Sequence, residues 1–126
     1  MKDLILPWPP SILSPNSRSH WAVKSKAAAS YRTACAWETK AAKIKIDWDE
    51  IVHLWITFNP PSRRHYDDDN LVAQFKNGRD GIADALGIND KRFRIHPWLS
   101  TDVVKYGAVK VRFSPGMEEA LHGDAS

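Results

Sequence analysis

Sulfur is scarce in this chain. Its one cysteine, Cys35, excludes an internal disulfide and fits a reducing compartment. Within a helical pattern that thiol reads as a small buried apolar group rather than as a catalytic nucleophile. No apolar run approaches the ~20 residues of a membrane-spanning helix, so no membrane partner is expected. The opening MKDLILPWPP has a charge and a short apolar stretch, but it lacks a small-residue cleavage site and breaks early at proline. It is not expected to be a signal peptide. Internal repeats and interior linkers are missing too. These absences leave a soluble cytoplasmic protein of one domain, since 126 residues suffice for one real core and not for two.

What is present is a globular composition, 43% hydrophobic and 26% charged, with six tryptophans. A net charge of +3 and a pI near 9.1 permit a polyanionic partner without requiring one. Residues 3–6, DLIL, predict a short strand stopped by PWPP. A helix is expected from Trp21 to about Lys43, with Val23, Ala27, Tyr31, Ala34, Trp37 and Ala41 forming one apolar stripe. Over 51–58 the period changes to two: Val52, Leu54, Ile56 and Phe58 share one side of a strand, His53, Trp55 and Thr57 the other. A second helix fits 69–86, with Gly87 as its C-cap. Gly78 and Gly81 lower its propensity and so point to close backbone packing. Residues 92–99 and 107–113 read as extended, and 116–126 as a flexible tail. The order β-α-β-α-β-β predicts a single α+β domain over 1–115, a mixed sheet packed by two main helices. In that sheet the first two strands lie parallel and the last two form a hairpin.

The chemistry concentrates in SRRHYDDDNL, residues 62–71. Asp67, Asp68 and Asp69 repel one another unless something offsets them. Capping of the second helix within a solvated acidic turn is one answer, because free N–H groups and the helix dipole favour carboxylates there. A bound cation is the other. Lys76 falls about 20° around the helix from Asp69 and leans back toward it. Asp80 shares that face but lies about 16 Å further along, too far for the same ion. Asp90, in LGINDKRF, offers a further carboxylate if the chain returns toward the first cluster. Asp67, Asp69 and Asp90 together would give hard oxygen ligands suited to Mg²⁺ or Mn²⁺. The chemistry would then be phosphodiester hydrolysis, with Lys76 neutralising the developing charge.

Rival motifs are poorer. An EF-hand lacks its glycine at the sixth loop position, and the five histidines are not at zinc-ligand spacing from Cys35 or from one another. NGRDG lacks the lysine of a phosphate loop and sits inside a helical pattern. The basic residues, by contrast, favour a nucleic acid. Arg63, Arg64 and His65 precede the acids, and Arg18, His20, Lys24 and Lys26 follow PWPPS, making two clusters able to clamp phosphates. Trp8, Trp21 and Tyr66 either stack on bases or fill the core.

Two segments carry a family resemblance across most of residues 4–113. LPWPPSILSPNSRSHW resembles the Pro-Pro-Ser opening of the RusA family of Holliday-junction resolvases, small homodimeric endonucleases often carried by phages and prophages. RRHYDDDNLVAQFKNGRDGIADALGINDKRF resembles that family's basic residues, D-x-D-N-L, helix ending in D-A-L and later acidic turn. The resemblance implies that Asp67, Asp69 and Asp90 are metal-binding catalytic carboxylates and that a lysine on the helix assists. Some members carry it at the position of Ala73; Lys76 is the lysine on that face here. Asp68 stands where the family has an apolar residue or proline, and Asn89 where many members have a second acid. The implied activity is Mg²⁺-dependent paired nicking of four-way DNA junctions by a homodimer in recombination and repair, with Mn²⁺ as a substitute. A junction-binding protein that does not cut, and a general metal-dependent nuclease, are the alternatives.

Overall fold

The computed structural model describes residues 3–116, so the expected tail lies, from Met117 on, outside the described residues. The elements run β1 (Leu4–Pro7), α1 (Trp21–Ala41), β2 (Val52–Asn59), α2 (Asp68–Gln74), α3 (Lys76–Leu86), β3 (Phe93–Leu99) and β4 (Ala108–Ser114). Short 3-10 turns occupy Ser11–Leu13 and Asp90–Arg92. This is the small single-domain α+β arrangement that the periodicities imply. The alternation in β2 sends Val52, Leu54, Ile56 and Phe58 into the core, joined there by Leu4, Leu6, Val109, Val111 and Phe113. Tyr31 and Cys35 of α1, Leu71 of α2 and Ile82 of α3 pack on that same side. The helices therefore cover one face of the sheet, which makes two layers.

The sheet order is β1-β4-β2-β3. β4 is antiparallel to both β1 and β2, so β1 and β2 are parallel, as their helical crossover requires. The expected hairpin of the last two strands does not form. β3 pairs in parallel with β2 at the sheet edge, and residues 100–107 carry the chain past β2 before β4 inserts beside β1. Residue chemistry explains the sorting. β3 contains Pro97, which has no N–H for a central ladder, whereas Val109, Val111 and Phe113 give β4 a fully buried face.

Two helical expectations also change. The second helix is interrupted at Phe75, whose carbonyl accepts from both Gly78 and Arg79 N–H at 2.8 and 3.2 Å, so α2 and α3 are separate segments. On α1 the core face runs through Tyr31, Cys35 and Thr39, not through Ala34 and Trp37; Trp37 is 66% exposed. Small side chains take the inner track because α3 approaches closely there. At Gly81 an added methyl would overlap the Arg32 carbonyl and lie 3.0 Å from the Ala36 nitrogen. The close packing expected of Gly81 is thus a backbone-to-backbone contact between α1 and α3. Burial pushes the Cys35 thiol up to about 11, opposed by its hydrogen bond with Tyr31 and reinforced by Glu38, so it stays protonated at neutral pH. Among the described residues no helix is long and apolar enough to cross a membrane.

Candidate metal and nucleic-acid site

β1, β2 and β3 all end at one edge of the sheet, and the loops leaving β1 and β2 turn there into the N-termini of α1 and α2. In open sheets of this kind ligands bind beyond the carboxyl ends of the strands. The two loops meet in a crevice of about 470 Å³, lined by Ser14, Asn16, Ser17, Arg64, His65 and Asp67 among others. Two segments some fifty residues apart in sequence, each read as basic and polar, are thus brought together. A second crevice of about 480 Å³ on the other side of the loop is lined by Arg63, Arg64, His65 and Asp68 with Ser100 and Thr101.

The acidic run is positioned by helix capping. Asp67 is the N-cap of α2, its Oδ1 accepting from Asn70 N–H at 3.1 Å and its carbonyl from Leu71 N–H at 3.0 Å. Asp68 and Asp69 occupy the first turn, where the unpaired N–H groups offset their mutual repulsion. All three are exposed. The cap is therefore Asp67, and Asp69 falls within the first turn of the helix. Capping and cation binding are compatible, since a carboxylate has more acceptor capacity than one N–H uses. Asp67 and Asp69, one turn apart at most, present hard oxygens of the kind Mg²⁺ takes together with waters and a phosphate. Within one chain, however, these two are only part of a site. No group of three or more His, Cys, Asp and Glu side chains able to hold a metal ion occurs among the described residues.

Asp90 does not join them. It begins the turn just before β3, whose first residue, Phe93, registers with Val52 at the start of β2, while the acidic run follows the end of β2. A seven-residue strand spans about 23 Å, so Asp90 and the acidic run lie at opposite edges of the sheet. The reason is topological: a parallel crossover must return the chain to the opposite edge before the next strand begins. Asp90 instead shares a crevice with Arg32, Asp80 and Asp84. Arg32 holds Asp84 by paired bonds of 2.6 and 2.8 Å, which lowers the Asp84 carboxyl below its usual range. Lys76 opens α3, separated from the helix that carries Asp69 by Phe75 alone, and its ammonium sits 3.6 Å from Asp80.

The remaining expected residues lie on or beside the loops that form the crevice. His20 caps α1, its Nδ1 accepting from Ala22 N–H at 3.1 Å, and Lys24 Nζ donates to the Ser17 carbonyl at 3.4 Å. Arg18 lies between Ser17 and Ser19, both in the crevice wall, and is exposed. Of the aromatic residues, Trp8 packs edge-on against Phe58 and Tyr66 at centroid distances of 6.1 and 5.6 Å, so it braces the floor. Tyr66 carries the Arg64 guanidinium over its ring at 5.0 Å. Trp21, the first residue of α1, is 73% exposed. Gln74, which the sequence reading passed over, is buried and donates to the Pro9 carbonyl at 2.7 Å, fastening the first loop to α2. Its position seven residues after Asp67 placed it on the capping face, which was the available signal.

No family model matches the chain. An uncharacterized protein of Xylella fastidiosa (strain Temecula1) is 42% identical to it over 126 residues, an alignment that takes in 98% of this chain and 82% of that protein.

Proposed function

We propose that this chain, which belongs to one family with the Xylella fastidiosa protein, is a cytoplasmic Mg²⁺-dependent endodeoxyribonuclease of the RusA kind that nicks four-way DNA junctions as a homodimer. One observation carries the reading: Asp67 at the start of α2, Arg64 and His65 before it, and the polar Ser11–Ser19 loop line a single crevice at the carboxyl edge of the sheet. Anionic ligands and cationic walls are both needed where a metal meets a polyanion. Arg18, Lys24, Arg63 and Arg64, with His20 and His65, contact the DNA backbone and fix its register. Asp67 and Asp69 are two of the metal's ligands. Bound Mg²⁺, or Mn²⁺ in its place, supplies an activated water and charge stabilisation on the phosphoryl oxygens.

The third ligand, Asp90, comes from the second copy in this reading. With about the length of β3 between them in one chain, Asp90 and Asp67 cannot share an ion, whereas a two-fold axis across the strands would set one copy's amino edge beside the other's carboxyl edge. The same symmetry places two centres on strands of like polarity. The separation also favours a second reading, a junction-binding protein that does not cut.

The readings divide on one comparison, a labelled four-way junction against a linear duplex of the same sequence. Paired nicks confined to the junction, dependent on Mg²⁺ or Mn²⁺ and abolished by EDTA, are the expected result. Equal cutting of both substrates makes the chain a general nuclease. Junction binding with no nicks under either metal makes it a binding protein.

A further inference from the structure

β1, β2 and β3 leave the sheet at the edge where β4 enters it, so residues 100–107 form a third loop beside the two that make the crevice. This loop is tied down along its length. Ser100 N–H donates to the Phe58 carbonyl at 2.9 Å, Val104 N–H to the Pro60 carbonyl at 3.0 Å, and Asn59 Nδ2 to the Asp102 carbonyl at 3.2 Å. Its last residues make a tight turn, closed by Gly107 N–H on the Val104 carbonyl at 2.7 Å. A methyl at Gly107 would overlap the Trp8 side chain, so the turn sits directly on the aromatic that braces the crevice floor. Tyr106 occupies the third position of that turn with φ 68°, a left-handed conformation that ordinarily takes glycine or asparagine. An aromatic residue held there strains the backbone. Packing offers little in return, because Tyr106 is 80% exposed, with Lys105 Nζ 5.2 Å from its ring centroid. Val103 and Val104 just before it are exposed as well.

We infer that Tyr106 is a wedge for a DNA junction, its ring stacking on a base laid open at the branch point where the strands part. The inference rests on the junction-directed reading given above and adds to it the residue that reads the branch. A strained, rigidly held ring displayed to water contributes little to folding, and strain of this kind persists where a site uses it. The surroundings name the occupant. Val103 lines the second crevice together with Arg63, Arg64 and His65, and Lys105 precedes the ring, so cations able to hold phosphates flank the apolar tip. The carboxylates nearby are Asp68, in the wall of that crevice, and Asp102 of the loop itself; both are exposed. Within a continuous duplex each base is stacked on both sides and offers no face to such a ring. At a branch point an arm ends, its last base pair has an open face, and an inserted ring replaces the missing neighbour.

The test uses the full chain in EDTA, so that nothing is cut, with fluorescence anisotropy of a labelled four-way junction and of a linear duplex of the same sequence. Tyr106→Gly is expected to weaken junction binding about tenfold while duplex binding stays within about twofold, in line with the loss of one stacked base. The same variant is expected to melt no lower than wild type, because glycine relieves the left-handed strain; a residue that only supported the fold would lower the melting temperature. Tyr106→Phe keeps the ring and the junction preference. Wild-type junction affinity in Tyr106→Gly overturns the inference. So does a sedimentation coefficient lowered by Tyr106→Gly, which gives the ring to a second copy instead. A wild-type chain that binds junction and duplex equally, or neither, overturns the junction reading and the inference with it, and that failure is read from wild type alone.

Discussion

Replacing Asp69 with asparagine is expected to reduce Mg²⁺-dependent nicking of a four-way junction at least about a hundredfold while the protein stays folded and junction-bound. The substitution keeps the side chain's size and removes only its charge. Asp69 is exposed in the first turn of α2 and caps nothing, so the structural cost is the loss of a helix-dipole interaction, about 0.3–1 kcal/mol. A loss of activity that large against a stability change that small separates a ligand from a helix-capping residue. Asp68→Asn is the matched control: it removes the same charge from the same turn, but Asp68 lines the neighbouring crevice. Nicking that survives Asp69→Asn, or falls equally with Asp68→Asn, counts against a metal at Asp67 and Asp69.

Gly81→Ala is expected to destabilise the fold by about 2 kcal/mol, seen as a lower urea midpoint and a melting temperature down by several degrees. Two effects oppose each other. Alanine gains about 1 kcal/mol of helix propensity over glycine. Against that, its methyl would overlap the Arg32 carbonyl and approach Ala36 N at 3.0 Å and Cys35 Cβ at 3.1 Å. Backbone atoms on a packed helix cannot swing aside as a side chain can, and overpacking costs about 1–3 kcal/mol or more. The clash wins. Stabilisation by Gly81→Ala would mean that α1 and α3 are not in the intimate contact described here.

Most of the architecture was legible because its elements obey strong periods. The alternation of β2 picks out Leu54, Ile56 and Phe58 as its core-facing side, although Trp55 and Thr57 on the other side are buried as well. Gly81 and Gly87 were legible too, since a glycine inside a helix or at its end has few reasons to be there. The pairing of β4 was not. Strand order depends on which edges are blunted, and Pro97 marks β3 as an edge only once β4 is seen to have a fully buried face. On α1, two tracks at helical spacing were available. The choice between Trp37 and Cys35 rested on how closely another helix approaches, which no local pattern encodes. The site divides in the same way. Capping chemistry fixed the acidic turn to the start of α2, and the two basic loops meet there because parallel strands end at one edge. Lys76 was placed by register along one helix, which breaks for one residue at Phe75. Asp90 was assigned through the resemblance on the condition that the chain returns toward the acidic run, and the length of β3 keeps it at the other end of the strands.

In the proposed homodimer a complete centre combines Asp67 and Asp69 of one copy with Asp90 of the other. Asp69→Asn and Asp90→Asn chains, each inactive alone, can be mixed and allowed to exchange subunits before addition of a four-way junction and Mg²⁺. A mixed dimer then holds one intact centre and one doubly impaired centre, so nicking is predicted to return as single rather than paired cuts. A mixture that stays as inactive as its components, with subunit exchange verified, would contradict the claim.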